Sequence, residues 1–127
     1  MMQVLLGIWN YEVAVARTAA DGLRLARSQP FDLYLLDIHL PDVSGLELCE
    51  QICGITGHAP VVFISAAVYE SDQARGLRAG AVAYFTKPVD FKELEIMISR
   101  LITRSQARKR NYDSRNPIRR SVQTANA

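Results

Sequence analysis

Three side chains with complementary chemistry each follow a short apolar run: Asp37, Ser65 and Lys87. Runs of this kind are typical of strands that are buried on both faces of a parallel sheet. If the three strands are neighbours, their carboxyl ends open on one edge, which is where ligands bind in open α/β sheets. A carboxylate nucleophile, a hydroxyl donor and an ammonium group could together bind and transfer a small anion such as a phosphoryl group.

The elements that must position these residues alternate regularly along the chain. Strand patterns at 11–15, 33–36, 61–64 and 82–86 are each followed by a helical pattern, at about 18–29, 45–55, 71–79 and 90–104. Four strand and helix repeats predict an α/β fold, a doubly wound parallel sheet with right-handed crossovers. After Asp37, Pro41 removes a backbone donor, and Pro41 and Gly45 predict a loop before the next helix.

Length and composition indicate one ordinary domain. The chain has 127 residues, of which 49% are hydrophobic, enough for a normal core. No apolar run approaches the roughly 18 residues that span a bilayer, so no membrane association is expected. The N-terminus lacks the features of a signal peptide, and a cytoplasmic protein is therefore expected. In that compartment Cys49 and Cys53 are predicted to be reduced, packed thiols.

The formal net charge of +2 is unevenly distributed. Residues 105–127 contain six basic residues and one acidic residue, a net charge of +5, which leaves −3 for residues 1–104. Residues 105–127 also lack the apolar stripe of the preceding helix. We therefore predict a folded domain at 1–104 and a basic, mobile tail at 105–127.

Four motifs resemble the receiver domain of two-component response regulators over about residues 8–104. The segment Asp37–Pro41 with Gly45 resembles the phosphoacceptor loop of that family. Ser65 resembles its hydroxyl position, Tyr84 its aromatic position, and Thr86-Lys87-Pro88 its lysine motif. The resemblance implies the flavodoxin-like receiver fold, with a cis bond between Lys87 and Pro88.

The same resemblance gives roles to individual residues. Asp37 would attack the phosphorus of a phosphohistidine supplied by a sensor histidine kinase, while Lys87 and Ser65 would bind the phosphoryl oxygens. Asp37 and the main-chain carbonyl of His39 would hold Mg²⁺. Tyr84 would turn inward as Ser65 moves toward the phosphoryl group, and so change the surface offered to partners.

The front of the chain departs from the family pattern. A receiver opens with a strand that ends in two acidic residues and continues into a complete helix, whereas here no acidic pair precedes Glu12. Leu5, Leu6 and Trp9 resemble the last turns of that helix. Without the acidic pair, Mg²⁺ binding is expected to be weak or absent. The fold is therefore predicted to be N-terminally truncated.

The missing strand would leave two unpaired edges in the middle of the sheet. Residues 2–8 could serve as a replacement strand, or a neighbouring chain could complete the sheet in a homo-oligomer or domain-swapped dimer. An internal start within a longer regulator is a further alternative that the sequence leaves open.

Two functions of different classes follow from these patterns. The first is a phosphorelay receiver that accepts a phosphoryl group on Asp37, without enzymatic activity beyond its own phosphorylation and dephosphorylation. The alternative is a degenerate receiver-like module that works by oligomerising or docking. Nucleic-acid binding through the basic tail is a weaker third reading, because the sequence has no helix-turn-helix or series of aromatic residues.

Overall fold

A computed structural model describes residues 2–56, 59–66, 70–110 and 121–125 of the chain. Within these ranges five helices alternate with five strands, beginning with a helix. The helices are α1 (Met2–Ile8), α2 (Ala19–Ser28), α3 (Gly45–Thr56), α4 (Glu70–Arg78) and α5 (Phe91–Arg110). The strands are β1 (Glu12–Ala16), β2 (Leu33–Leu36), β3 (Val61–Ser65), β4 (Ala83–Thr86) and β5 (Ser121–Ala125).

All strand pairs are parallel, and the sheet order is β1-β5-β2-β3-β4. One face of the sheet packs against an apolar cluster that includes residues from α2 and α3. The opposite face packs against α1 and α5, whose buried residues include Leu6, Leu94 and Ile98. Helices on both faces confirm the predicted doubly wound α/β fold.

The strand that fills the predicted gap comes from the end of the sequence. β5 lies between β1 and β2, and it pairs with β1 over residues 121–125 and with β2 over residues 122–125. The prediction of a mobile tail is therefore wrong for residues 121–125. The chain also contributes five strands to the sheet, and not the four that were predicted. The physical reason is that β1 and β2 would otherwise expose unpaired backbone groups in the centre of the sheet.

Two other expectations about the chain ends are settled by the described residues. Met2–Ile8 forms a helix, so the interpretation as a replacement strand is wrong and the interpretation as the last turns of a helix is confirmed. Leu6 on this helix is fully buried. α5 extends beyond the predicted limit at 104, to Arg110. The remainder of the predicted tail, residues 111–120 and 126–127, lies outside the described residues.

Local capping explains where the helices that flank the site begin. The Thr18 hydroxyl accepts a hydrogen bond from the Asp21 amide at 3.1 Å, and Asp90 accepts two such bonds at the start of α5. Ser44 accepts from the Leu46 amide at 3.1 Å before α3. These caps satisfy amides that have no partner within the helix. Across the described residues, no helix combines the length and apolar character required to cross a membrane.

Candidate functional site

The three side chains singled out from the sequence meet at the carboxyl edge of three neighbouring strands. Ser65 Oγ donates a hydrogen bond to Asp37 Oδ1 at 3.2 Å. Lys87 Nζ donates to Asp37 Oδ2 at 3.3 Å and forms an ion pair with it. The side chain of Asp37 is 10% exposed and that of Lys87 is 41% exposed, so the pair lies at the mouth of a cleft. A small anion approaching from solvent would meet all three groups together.

Main-chain groups of β5 and of the following loop hold Asp37 in place. The Asp37 amide donates to the carbonyl of Ala125, the last residue of β5, at 3.0 Å. The His39 amide donates to Asp37 Oδ1 at 2.9 Å. β5 therefore supports the position of Asp37 although it brings no carboxylate of its own to the described site.

The loop after Asp37 closes against its own backbone at Gly45. The Gly45 amide donates to the Ile38 carbonyl at 2.7 Å. A Cβ atom at Gly45 would overlap the Asp37 carbonyl oxygen and lie 2.8 Å from the Asp37 carbonyl carbon. Glycine is required here because backbone meets backbone. Pro41, the other residue predicted to shape this loop, is exposed.

Lys87 is positioned by the main chain on each side of it. Its amide donates to the Ser65 carbonyl at 2.9 Å, which links the ends of β3 and β4. The Lys87–Pro88 peptide bond is cis, as the resemblance implied.

Tyr84 lies on β4 beside the hydroxyl of this site. Burial raises the pKa of the Tyr84 phenol, the nearby carboxylates of Asp72 and Asp37 raise it further, and a hydrogen bond with Ser65 lowers it. Its ring lies 6.0 Å from that of Phe63. Tyr84 is half-buried, so its ring is partly exposed beside Ser65.

The donor set at this edge does not fit a firmly held Mg²⁺. The predicted ligands are one carboxylate, Asp37, and the main-chain carbonyl of His39, whose side chain is exposed. Both Asp37 oxygens already accept hydrogen bonds. Among the described residues, no three His, Cys, Asp or Glu side chains form a cluster that could hold a metal ion. Octahedral Mg²⁺ is normally held by more than one carboxylate or phosphate group, whereas the predicted ligands supply a single carboxylate.

A second carboxylate in the same loop has a role that sequence reasoning missed. Asp42 accepts hydrogen bonds from the amides of Ala19 at 2.8 Å and Ala20 at 3.0 Å, at the start of α2. These bonds lower the pKa of Asp42 below its ordinary value of 3.8. Because Asp42 lies more than twenty residues from α2 in sequence, no local motif could have indicated this contact. It ties the phosphoacceptor-like loop to the neighbouring helix.

We expect Asp42→Asn to lower the free energy of unfolding at neutral pH, because an amide is a weaker acceptor for helix amides than a carboxylate. Since the pKa of Asp42 is lower in the folded chain, its contribution is complete above the unfolded value near 4 and is lost as pH falls through the folded value. Urea unfolding at pH 7 and pH 3 should therefore show a difference between wild type and variant that shrinks in acid. Glu95→Gln, which removes an exposed carboxylate on α5, is the matched control. An equal difference at both pH values would contradict this prediction.

Comparison with known proteins places this geometry in a family. Residues 1–99 match the family described as response regulator receiver domain. The response regulator ArlR of Staphylococcus epidermidis is 40% identical over 95 residues, which cover 75% of this chain and 43% of ArlR. The chain thus spans less than half the length of this curated relative.

Solved structures give the same result. A receiver domain protein (CheY-like) from Methanospirillum hungatei is 30% identical with a TM-score of 0.77, covering 84% of this chain and 85% of that one. The receiver domain of the sensor histidine kinase PA1611 from Pseudomonas aeruginosa is 25% identical with a TM-score of 0.74. The match covers 80% of this chain and 85% of the PA1611 chain. The crystal structure of PA1611 has a magnesium ion coordinated in the active-site cleft.

Proposed function

The chain belongs to the response regulator receiver domain family of two-component systems, and from this premise we propose that Asp37 accepts a phosphoryl group from a sensor histidine kinase. The observation that carries the proposal is the contact of one carboxylate with a hydroxyl and an ammonium group at three adjacent strand ends. A purely structural ion pair would not require the buried hydroxyl of Ser65 on the same carboxylate.

In the proposed step, an Asp37 carboxylate oxygen bonds to phosphorus while the bond between phosphorus and the donor imidazole nitrogen breaks. The nitrogen keeps the electron pair, and the product is an acyl phosphate on Asp37. Lys87 neutralises negative charge on the phosphoryl oxygens, and Ser65 donates a hydrogen bond to one of them. The proposal includes no catalysis beyond the chain's own phosphorylation and dephosphorylation.

The proposed signal leaves the site through Ser65 and Tyr84. As Ser65 moves to the phosphoryl group, it gives up its present contacts, and the partly exposed Tyr84 ring turns into the vacated space. Because Gly76 of α4 packs against Phe63 and Tyr84, movement of this ring would alter the surface around α4. The affinity of partner proteins that bind to this surface would then change. The proposal places these events in the cytoplasm, where the two free cysteines stay reduced.

The test is to incubate the chain with acetyl phosphate, with and without Mg²⁺, and to measure intact mass. We expect a phosphate adduct that Asp37→Asn abolishes and that forms about a hundredfold more slowly in Lys87→Gln. Glu50→Gln, which removes an exposed carboxylate on α3, is the control and should form the adduct like wild type.

A second candidate function is favoured by the poor donor set for Mg²⁺. In that alternative the chain is a degenerate receiver-like module that docks to partners without phosphorylation. If a chain with native circular dichroism forms no adduct at any Mg²⁺ concentration, the docking function replaces the phosphorelay function.

The oligomer was predicted because the sheet was expected to have a gap. β5 of the same chain fills that gap, so the sheet no longer requires a second copy. A domain-swapped dimer, in which residues 121–125 come from a second copy, stays a prediction that light scattering across protein concentrations would test. For nucleic-acid binding, the arginines at 115, 119 and 120 lie outside the described residues, and we do not propose this function.

A further inference from the structure

The channel that β5 occupies has the properties of a peptide-binding site. β5 is held in parallel pairing by β1 on one side and by β2 on the other. Val122, Gln123, Thr124 and Ala125 are all buried there. An extended segment that adds a strand in this way gains affinity from main-chain hydrogen bonds and specificity from pockets for alternate side chains.

The first residue of β5 is recognised by a buried carboxylate. Asp32 is fully buried, and its Oδ2 accepts from the Ser121 amide at 2.9 Å and from the Ser121 hydroxyl at 3.3 Å. The Asp32 amide donates in return to the Ser121 carbonyl at 2.9 Å. A shift of β5 by one residue would break this exchange and turn each side chain to the opposite face of the sheet.

The third residue of β5 is recognised by the helix α2, which packs on one face of the sheet. Gln123 Nε2 donates to the Gly22 carbonyl on α2 at 2.9 Å. A Cβ atom at Gly22 would lie 2.9 Å from the same Nε2, so the absence of a side chain at Gly22 makes room for the amide. A charged side chain in this fully buried position would lose its hydration, which is costly.

The binding of β5 in the channel also leaves a buried polar atom without a hydrogen bond. Gln123 Oε1 is buried and has no hydrogen-bond partner in the described part of the chain. Burying an acceptor without a partner offsets part of the gain from strand pairing. β5 is thus specific in register but not bound with the full affinity that the channel could provide.

We propose that the channel between β1 and β2 is a sequence-reading peptide site that binds residues 121–125 reversibly. The ligand is an extended peptide with a hydroxyl residue first, an uncharged amide third and a small apolar residue fifth. The occupant is this chain's own C-terminal segment. A free peptide with the same sequence therefore competes with β5 for the channel.

The test uses the full chain with a site for a specific protease in place of residues 113–118. The chain is folded first and then cleaved, so that all of its elements stay present. A fluorescent peptide with the sequence of residues 119–127 is added, and anisotropy reports its exchange with the cleaved segment. Two control peptides carry Ser121→Ala, which removes the hydroxyl, and Gln123→Lys, which brings a charge to the buried position.

We expect the wild-type peptide to exchange into the channel and to raise the melting temperature of the cleaved chain as its concentration rises. The Ser121→Ala peptide should bind about tenfold more weakly and the Gln123→Lys peptide at least a hundredfold more weakly. If cleavage releases the segment and unfolds the chain, wild-type peptide should restore the native circular dichroism.

Three results would overturn the proposal. They are equal binding of the wild-type and Gln123→Lys peptides, a released segment that leaves the rest of the chain natively folded, and no exchange or rescue by wild-type peptide near the melting midpoint. Because none of these measurements involves a phosphoryl group, they are independent of the outcome at Asp37.

Discussion

Deletion of residues 121–125 is expected to abolish the cooperative unfolding transition of the chain. β5 is a central strand, and its removal would leave β1 and β2 with unpaired backbone groups in the middle of the sheet. Burial of Val122 alone contributes about 1.5–3 kcal/mol, and each lost strand hydrogen bond about 1 kcal/mol. The total is comparable to the whole stability of a typical domain, about 5–15 kcal/mol.

A point variant tests the same prediction without shortening the chain. Val122 is fully buried in the layer that contains Leu94 and Ile98, so Val122→Asp places a carboxylate among apolar side chains. We expect it to lower the free energy of unfolding by about 4 kcal/mol or more, measured by urea denaturation.

The matched control is the same substitution on the neighbouring strand. Val15 on β1 is 45% exposed, and Val15→Asp should cost about 1 kcal/mol or less because the charge stays in water. Equal effects of the two substitutions, or a cooperative transition that survives the deletion, would mean that residues 121–125 are not a central strand in solution.

The second large effect is expected for Gly45→Ala at the start of α3. The added methyl group would overlap the Asp37 carbonyl oxygen and lie 3.0 Å from the Ile38 Cα atom, both of them main-chain atoms. Since the backbone cannot move aside as a flexible side chain can, we expect a loss of at least about 3 kcal/mol in the free energy of unfolding. The displaced loop should also slow phosphate adduct formation at Asp37.

Gly54→Ala on the same helix provides the control, with the opposite sign expected. Gly54 is exposed, and a Cβ atom there meets nothing within 4 Å. Alanine is the better helix former, so this variant should gain about 0.5–1 kcal/mol. If Gly45→Ala were as stable as Gly54→Ala, the close approach between α3 and the Asp37 loop would be contradicted.

The features that the sequence predicted are those with local signals. Apolar runs located the strands that end at Asp37, Ser65 and Lys87, and the regular alternation of strands and helices indicated that these ends share one edge. Hydroxyl and carboxylate caps such as Thr18 and Asp90 also have a local signal, because the capping residue lies within three residues of the amides that it binds.

The features that were missed depend on contacts between distant parts of the chain. Residues 121–125 contain one large apolar residue, Val122, and resemble a polar tail until Asp32 and Gly22 provide partners for Ser121 and Gln123. The capping of α2 by Asp42 is equally non-local. Neither contact follows from periodicity or from turn chemistry, because both depend on where the fold brings remote residues together.

The position of β5 separates the order of synthesis from the order in space. The ribosome makes this strand after every other described element, yet the sheet needs it next to β1, the earliest of the described strands. Until residue 125 has emerged, β1 and β2 of the nascent chain therefore have no strand between them. Their unpaired edges are exposed to chaperones and to other nascent chains. Slow elongation between β2 and β5 would lengthen that exposure, whereas a delay before β2 has been made would leave it unchanged.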